Sequence, residues 1–182
     1  MTVIKRAARL SENKCVVLIC SSASELKKFS LSETDIAYFS SALAEERKSA
    51  ALCTPQGGLY VIFKDKKQQR FKLAENLRKA GANVVSWFND NSYSSAELCD
   101  AGDNAEHALH VAEGIVLGNY QFLKYKSNIS PREKNALEEL ILVGTSVKEA
   151  DVQKLRITSE AAFIARDLVN EPPVTLTAVT LA

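Results

Sequence analysis

The sequence predicts an α/β (mixed α+β) domain in which helices cover both faces of a mixed sheet. Short apolar or β-branched segments alternate with longer segments whose apolar residues recur every three or four positions, which is the pattern of strands interleaved with helices. The run CVVLIC at residues 15–20 is apolar throughout and is therefore predicted to be a central strand. A chain of 182 residues with 46% hydrophobic and 25% charged residues has the ordinary composition of one globular domain.

The N-terminal third is predicted to contain four strands and one helix. The helix covers residues 34–47, where Ile36, Phe39 and Leu43 form one apolar stripe. The last two strands flank TPQGG at residues 54–58, whose Pro and Gly favour a reversal, so these strands are predicted to form a hairpin. The four strands are residues 2–7, 15–20, 49–53 and 59–64, and residues 21–32 form a polar connector.

The middle of the chain is predicted to add a helix and a strand. Residues 69–80 form the helix, which Gly81 ends as a left-handed cap, because glycine adopts a positive φ without steric cost. Residues 83–88 carry β-branched and aromatic side chains and are predicted to form the next strand. Residues 89–102 are polar and rich in turn formers, which predicts a loop.

The C-terminal half is predicted to contain two helices separated by a strand at residues 136–143. Ser146 and Glu149 have the spacing of a capping box, so the final helix is predicted to begin there and to extend toward Val169. The other helix covers residues 104–125, and its apolar face comprises Ala108, Val111, Ile115, Gly118, Phe122 and Tyr125.

The overall charge gives the protein no global attraction to nucleic acid or to an anionic membrane. Twenty-three Lys and Arg balance 22 Asp and Glu, which leaves a formal charge of +1. The longest apolar run, at residues 15–20, is far shorter than the roughly 20 residues that a spanning helix needs. Because no signal-peptide pattern follows Lys5 and Arg6, we expect a cytoplasmic protein without membrane partners.

Metal-ligating residue types do not form a recognisable set. His107 and His110 are spaced i, i+3 on the long predicted helix, which would bring both toward one ion, but no further ligands accompany them. The cysteines have neither CxxC spacing nor the density of a disulfide scaffold, so reduced, buried thiols are expected. These cysteines are Cys15, Cys20, Cys53 and Cys99.

No active site is visible in the sequence. A Ser/His/Asp arrangement, a Walker loop and a dinucleotide fingerprint are all missing. Gly114 and Gly118 form a GxxxG pair inside a helix, where the backbone amides are already used, so the pair does not indicate a phosphate loop. We expect it to mark tight packing of the helix on the sheet.

The strongest candidate for a nucleic-acid patch is the basic segment KDKKQQRFK, which begins where a strand leaves the sheet. Its five cations would neutralise about five phosphates and make binding strongly dependent on salt, although solvated loops often carry such runs. The candidate residues are Lys64, Lys66, Lys67, Arg70 and Lys72.

The last 18 residues, ARDLVNEPPVTLTAVTLA, contain the most distinctive motif. ARDLVNEPP followed by T-x-x-x-L-A resembles the segment that joins the two domains of cytosolic leucyl aminopeptidases, which are metal-dependent peptidases that remove N-terminal residues. AEGIVLGNYQFLKYK at residues 112–126 is similar to the long helix before that segment, whereas Val174 and Ala178 depart from the family's usual Asn and Pro. The motif residues are Ala165, Arg166, Asp167, Leu168, Val169, Asn170 and Pro172.

This resemblance implies a division of the chain. Residues 1–170 would form an N-terminal, non-catalytic domain with a macro-domain-like mixed sheet, and residues 171–182 would form the interdomain linker and the start of a C-terminal catalytic domain. In the family, that second domain binds two divalent metal ions, zinc or manganese. No cofactor, catalytic residue or metal ligand is therefore expected in this chain.

The resemblance also implies partners and leaves two alternatives open. The expected partners are the chain's own catalytic domain and further copies in a homohexamer, with a contribution to oligomer assembly and active-site access. One alternative is a macro-like module that binds ADP-ribose or another nucleotide, which rests on fold analogy alone. The other is a DNA-binding or assembly module, since some bacterial members of the family bind DNA.

Overall fold

A single sheet of six strands organises the chain, in the order β1-β6-β5-β2-β4-β3. The computed structural model describes residues 2–11, 15–54, 57–65 and 67–172. All neighbouring strands are parallel except β3 and β4, which form the antiparallel hairpin predicted from the sequence. The strands are β1 (Val3–Ala7), β2 (Cys15–Cys20), β3 (Ser49–Thr54), β4 (Gly57–Phe63), β5 (Ser95–Asp100) and β6 (Glu139–Val143).

Helices lie on both faces of this mixed sheet, which confirms the predicted fold class. Val17 and Ile19 of β2 belong to the core beneath α3, α4 and the start of α5. Leu18 and Cys20 pack on the opposite face with residues of α1 and α2. The helices are α1 (Ala23–Leu26), α2 (Glu33–Ala44), α3 (Arg70–Asp90), α4 (Ala105–Gly118) and α5 (Glu149–Asn170), with a 3₁₀ turn at Pro131–Glu133.

The prediction for the middle of the chain was wrong in two places. Residues 83–88 continue α3 instead of forming a strand, and Gly81 lies inside that helix instead of capping it. Val84, Val85 and Phe88 are buried against the sheet, so tertiary packing outweighs the local β propensity of these residues.

The strand that follows α3 is β5, which lies inside residues 89–102, the stretch predicted to be a polar loop. Its residues Ala96 and Leu98 are fully buried. The apolar pattern that would identify a buried strand in the sequence is hidden, because the carboxylates Glu97 and Asp100 are buried as well. The Glu97 carboxylate accepts hydrogen bonds from the backbone and hydroxyl of Ser11. Its burial is therefore compensated by charge-assisted hydrogen bonds.

Several helix boundaries also differ from the predictions. The connector at residues 21–32 contains α1, and α4 ends at Gly118 instead of continuing to residue 125. The last helix begins after Lys148, whose backbone N–H donates to Asp151 Oδ2 at 3.2 Å. Ser146 does not cap it, because its hydroxyl donates to Asp103 Oδ1 at 3.1 Å.

The glycines of α3 and α4 serve a helix-on-helix crossing, not the helix-on-sheet packing that we expected. A Cβ at Gly114 would collide with the carbonyl oxygen of Arg78 in α3. A Cβ at Gly81 would likewise collide with the carbonyl oxygen of Val111 in α4. Because each glycine accepts the other helix's backbone, the two axes approach more closely than side chains would permit.

We predict that Gly114→Ala destabilises the chain by at least about 1 kcal/mol. The Cβ would collide with a backbone carbonyl, which cannot move aside as a flexible side chain can, so the cost of overpacking should reach the upper end of its usual range of about 1–3 kcal/mol. The gain of about 1 kcal/mol from alanine's helix propensity offsets only part of this cost. The measurement is urea unfolding followed by circular dichroism. Gly118→Ala is the matched control, because its Cβ would lie 3.2 Å from Ala82 Cα, a tight contact that needs a shift of only a few tenths of an ångström, so a smaller loss is expected. Equal effects of the two substitutions would contradict the proposed crossing.

Candidate functional site

The connections after two neighbouring parallel strands, β2 and β5, define a candidate ligand site at the carboxyl ends of the strands. After β2 the chain turns to α1 and α2 on one face, whereas after the neighbouring β5 it turns to α4 on the other face. Adjacent strands whose connections leave to opposite faces open a crevice between them, and open α/β sheets bind ligands there.

In this chain a buried ion pair lies at the carboxyl ends of β4 and β5. Lys64 Nζ is 2.5 Å from Asp100 Oδ2 and 3.0 Å from His107 Nδ1. Lys64 and Asp100 are only 9% and 3% exposed. We call Lys64, Asp100 and His107 the edge triad.

Asp100 Oδ2 is the shared acceptor of the edge triad. Lys64 Nζ donates to it, and His107 Nδ1 lies 3.1 Å from it, where a ring proton on Nδ1 is donated to the carboxylate. Burial acts to raise the pKa of Asp100, but hydrogen bonds from His107 and Lys64 outweigh it and lower this pKa.

Asp100 also uses the backbone amides that a phosphate would need. Its Oδ1 accepts the N–H of Gly102 at 2.7 Å and that of Asn104 at 3.4 Å. The side chain of Asn104 in turn accepts the N–H groups of Glu106 and His107 at the start of α4. The crevice is therefore filled by the chain's own groups, which gives no support to the nucleotide-binding alternative.

The two histidines do not converge on a metal site. His107 belongs to the edge triad, and His110 lies 3.7 Å from Glu106 and 4.0 Å from Glu113. No group of three or more His, Cys, Asp or Glu in the described ranges is arranged to hold a metal ion.

The five residues of the proposed nucleic-acid patch have different environments. Lys64 is buried in the edge triad, so its assignment to an exposed patch was wrong. Arg70 Nη2 pairs with Glu106 Oε1 at 2.8 Å. Lys67 and Lys72 are exposed, and Lys66 lies outside the described residues. Nucleic-acid binding stays a prediction, and it is supported by fewer exposed cations than the five that the sequence suggested.

The thiols also differ from one another. Cys15 and Cys20 are buried as expected, and burial raises the pKa of each to about 12. Cys53 is exposed instead, since β3 is the edge strand of the sheet, and Cys99 is half-buried. Protonated, buried thiols are poor nucleophiles and poor metal ligands.

The residues of the linker motif lie on the last turns of α5, at the opposite end of the sheet. Arg166 Nη1 donates to the carbonyl oxygen of Leu117 at 2.6 Å, near the end of α4. The Arg166 guanidinium also lies 5.3 Å from the centroid of the Tyr120 ring, within the range of a cation–π interaction. The carbonyl group of Leu117 is one of those at the end of α4 that have no hydrogen-bond partner within the helix.

Tyr120 is the centre of the remaining contacts. Its hydroxyl donates to Asp167 Oδ1 at 2.6 Å and accepts from Asn170 Nδ2 at 3.3 Å. Its ring stacks on Phe163 with centroids 5.3 Å apart. One turn further, Glu171 pairs with Lys124 at 2.6 Å and accepts the hydroxyl of Tyr125. We call these contacts between residues 163–171 and 117–125 the linker seam.

The apolar members of the motif point away from the linker seam. Ala165, Leu168 and Val169 are exposed, and Val169 is 85% exposed. Pro172 is half-buried and ends the described chain, while residues 173–182, including Val174 and Ala178, lie outside the described residues. The two charged residues of this otherwise apolar stretch instead form hydrogen bonds within the chain, Arg166 with the carbonyl of Leu117 and Asp167 with the hydroxyl of Tyr120.

Sequence reasoning missed the edge triad and the role of Tyr120. Asp100 ends a strand that the sequence did not reveal, so its meeting with Lys64 was hidden. Tyr120 lay in a segment predicted to be helical, and its partner Asp167 is 47 positions away. The resemblance of residues 112–126 to the same family was the one signal that associated the two halves of the linker seam.

Comparisons with known proteins agree with this architecture. A model of the N-terminal domain of the cytosol aminopeptidase family matches residues 68–128. A probable cytosol aminopeptidase of Aquifex aeolicus is 33% identical over 139 residues, which cover 74% of this chain and 27% of that protein. One of Roseiflexus castenholzii is 37% identical over 79 residues, which cover 41% of this chain and 16% of that protein.

Solved structures show the same fold at low sequence identity. A mutant of tomato leucine aminopeptidase superposes with a TM-score of 0.74 at 18% identity, covering 100% of this chain and 41% of that one. The bottromycin maturation enzyme BotP in complex with Mn gives a TM-score of 0.63 at 22% identity, covering 92% and 34%.

The fold is thus the α/β fold of one part of the leucine aminopeptidases. The chain belongs to the cytosol aminopeptidase family, as its N-terminal domain. It spans about a quarter or less of the length of the two curated relatives described above.

We predict that Asp100→Asn lowers the free energy of unfolding at neutral pH by about 3–5 kcal/mol, because it leaves the buried Lys64 ammonium without its counter-ion. Adding Lys64→Met should restore much of this loss, since the uncompensated charge is then removed as well. Urea unfolding of the three proteins measures both effects. A double variant no more stable than Asp100→Asn would contradict the pairing.

The pair also predicts a defined acid sensitivity. Folding lowers the pKa of Asp100 from its ordinary 3.8, so the contribution of this carboxylate is complete above that value and is lost as pH falls through the lower folded value. The stability difference between the unsubstituted chain and Asp100→Asn should therefore stay constant from neutral pH to about pH 5 and shrink below about pH 4. A difference that does not change with pH would be inconsistent with a native ion pair.

We predict that Tyr120→Phe loosens only the end of α5. The substitution removes the hydroxyl that joins Asp167 to Asn170 but keeps the ring on Phe163, so amide hydrogen exchange of residues 164–170 should accelerate about fivefold while the first turns of α5 do not change. Tyr38→Phe is the control, because its hydroxyl donates to Ala51 on the other face. Unchanged exchange at the end of α5 would show that the hydroxyl does not hold the linker seam.

Proposed function

We propose that this chain is the non-catalytic domain of a metal-dependent leucyl aminopeptidase and that it holds the linker to the catalytic domain in a fixed direction. The observation that carries the proposal is the linker seam. Arg166, Asp167, Asn170 and Glu171 are each bonded to residues 117–125 immediately before the chain leaves at Pro172. A bonded exit restricts the directions in which a following domain can be attached.

The chemistry of the complete enzyme belongs to its other domain in this proposal. The relatives are named aminopeptidases and are several times longer than their matched segments. We propose that the following domain binds two divalent metal ions, zinc or manganese, and removes N-terminal residues from peptides. The edge triad supports this division, because its lysine and carboxylate neutralise each other and are closed to solvent.

Assembly and location form part of the same proposal. We infer a cytoplasmic homohexamer in which this domain contributes to subunit contacts and to active-site access. The exposed apolar side chains of α5, Ile157, Ile164 and Val169, give such contacts an available surface. No helix of the described residues is both long and apolar enough to cross a membrane.

The first experiment measures release of p-nitroaniline from leucyl-p-nitroanilide. The 182-residue chain should show no turnover with added zinc or manganese, whereas the full-length gene product should hydrolyse the substrate. Metal-dependent turnover by the chain alone would overturn the proposal.

The second experiment tests the linker seam in the full-length protein. Arg166→Ala is expected to lower kcat several-fold with little change in KM, because a misdirected catalytic domain is less often correctly assembled. Arg132→Ala is the matched control, since Arg132 is an exposed arginine outside the linker seam. Equal activity of the two variants would show that the seam does not direct the catalytic domain.

A further inference from the structure

A cleft lies beside the linker seam, at the end of the sheet where the parallel strands begin. It has a volume of about 580 Å³, which is within the range of pockets that hold small molecules. One wall is formed by α5 with Phe163 and Ile164, and the other by the segments around Tyr120 and Leu137. We call it the amino-edge cleft.

The walls of the amino-edge cleft are mainly apolar, and its rim is charged. Leu137 is buried, the Phe163 ring lies under Tyr120, and Ile164 is 62% exposed. The rim carries Glu138 and Glu160 as well as Lys134, and none of these three charges pairs with a side chain in the part of the chain that the structure describes.

Asn119 adds an unsatisfied acceptor to the same wall. Its Nδ2 donates to Thr2 Oγ1 and to the carbonyl oxygen of Leu137, both at 2.8 Å. These two bonds fix the orientation of the amide, and its buried Oδ1 accepts no hydrogen bond from the described residues. A buried acceptor without a donor is costly, so a bound donor or water would be favoured there.

From these groups we propose that the amino-edge cleft binds a short apolar peptide or amino acid with free ammonium and carboxylate groups. The two glutamates match the ammonium, Lys134 matches the carboxylate, and the apolar walls match the side chain. A polyanion such as a nucleotide would meet Glu138, Glu160 and Asp167 against one lysine. A neutral apolar ligand would leave the rim charges unused.

The ligand would also bear on the linker seam. Tyr120 and Asp167 line the amino-edge cleft and are bonded to each other in the seam. An occupant that binds more tightly when this hydrogen bond is formed than when it is broken would stabilise the bond by as much as the two affinities differ. This inference does not depend on the catalytic domain, because the cleft is formed entirely by the chain described here.

Calorimetric titration of the 182-residue chain with leucyl-leucine, and with leucine in parallel, tests the proposal. We expect saturable binding that acetylation of the peptide's ammonium weakens at least about fivefold, because charge-assisted hydrogen bonds are lost. Whichever of the two ligands binds more tightly identifies the preferred length. No binding of either at millimolar concentration would overturn the proposal.

Two rim variants locate the site. Glu160→Gln should weaken leucyl-leucine at least about fivefold, whereas Glu33→Gln, an exposed glutamate on α2, should not. Lys134→Gln should weaken leucyl-leucine but not leucyl-leucine amide, which has no carboxylate. Both rim residues are exposed, so folding is expected to be retained and is checked by circular dichroism. Equal affinities for the two glutamate variants would place the ligand elsewhere and refute the inference.

Discussion

The close crossing of α3 and α4 is the constraint on which the rest of the structure depends. Gly81 and Gly114 allow each helix to contact the other's backbone, and this contact sets the position of α4 over the sheet. The N-terminal end of α4 carries His107 into the edge triad. Its C-terminal end presents the Leu117 carbonyl and leads into Tyr120 at the linker seam. The helix α4 thus connects the edge triad with the linker seam, which lie at opposite ends of the strands.

The edge triad closes the position at which open α/β sheets usually bind ligands. A buried lysine and aspartate gain little net stability over apolar residues, because their desolvation offsets most of their attraction. Their effect is to fill the crevice and to use the amides after β5. The amino-edge cleft lies at the opposite end of the sheet, where α5 ends.

The sequence predicted the parts of the fold that depend on local pattern. The central apolar strand, the β3–β4 hairpin and the mixed sheet are all present, because continuous apolar runs and turn residues are local signals. The pattern failed at residues 83–88 and at β5, where burial by α4 and buried carboxylates override it. For the linker seam, the motif pointed to residues 165–172, but contacts such as Tyr120 with Asp167 arise only when the chain is folded.

The linker seam consists largely of exposed contacts, each of which contributes little free energy. Their joint effect is geometric, since a carbonyl, a hydroxyl and a ring together restrict one helix end. If a ligand binds the amino-edge cleft only when the seam is bonded, it stabilises the bonded seam by RT ln(1 + [L]/Kd), where [L] is the free ligand concentration. Coupling of this kind is reciprocal. A domain attached beyond Pro172 that stiffens the seam must therefore tighten the cleft's hold on its ligand by the same factor.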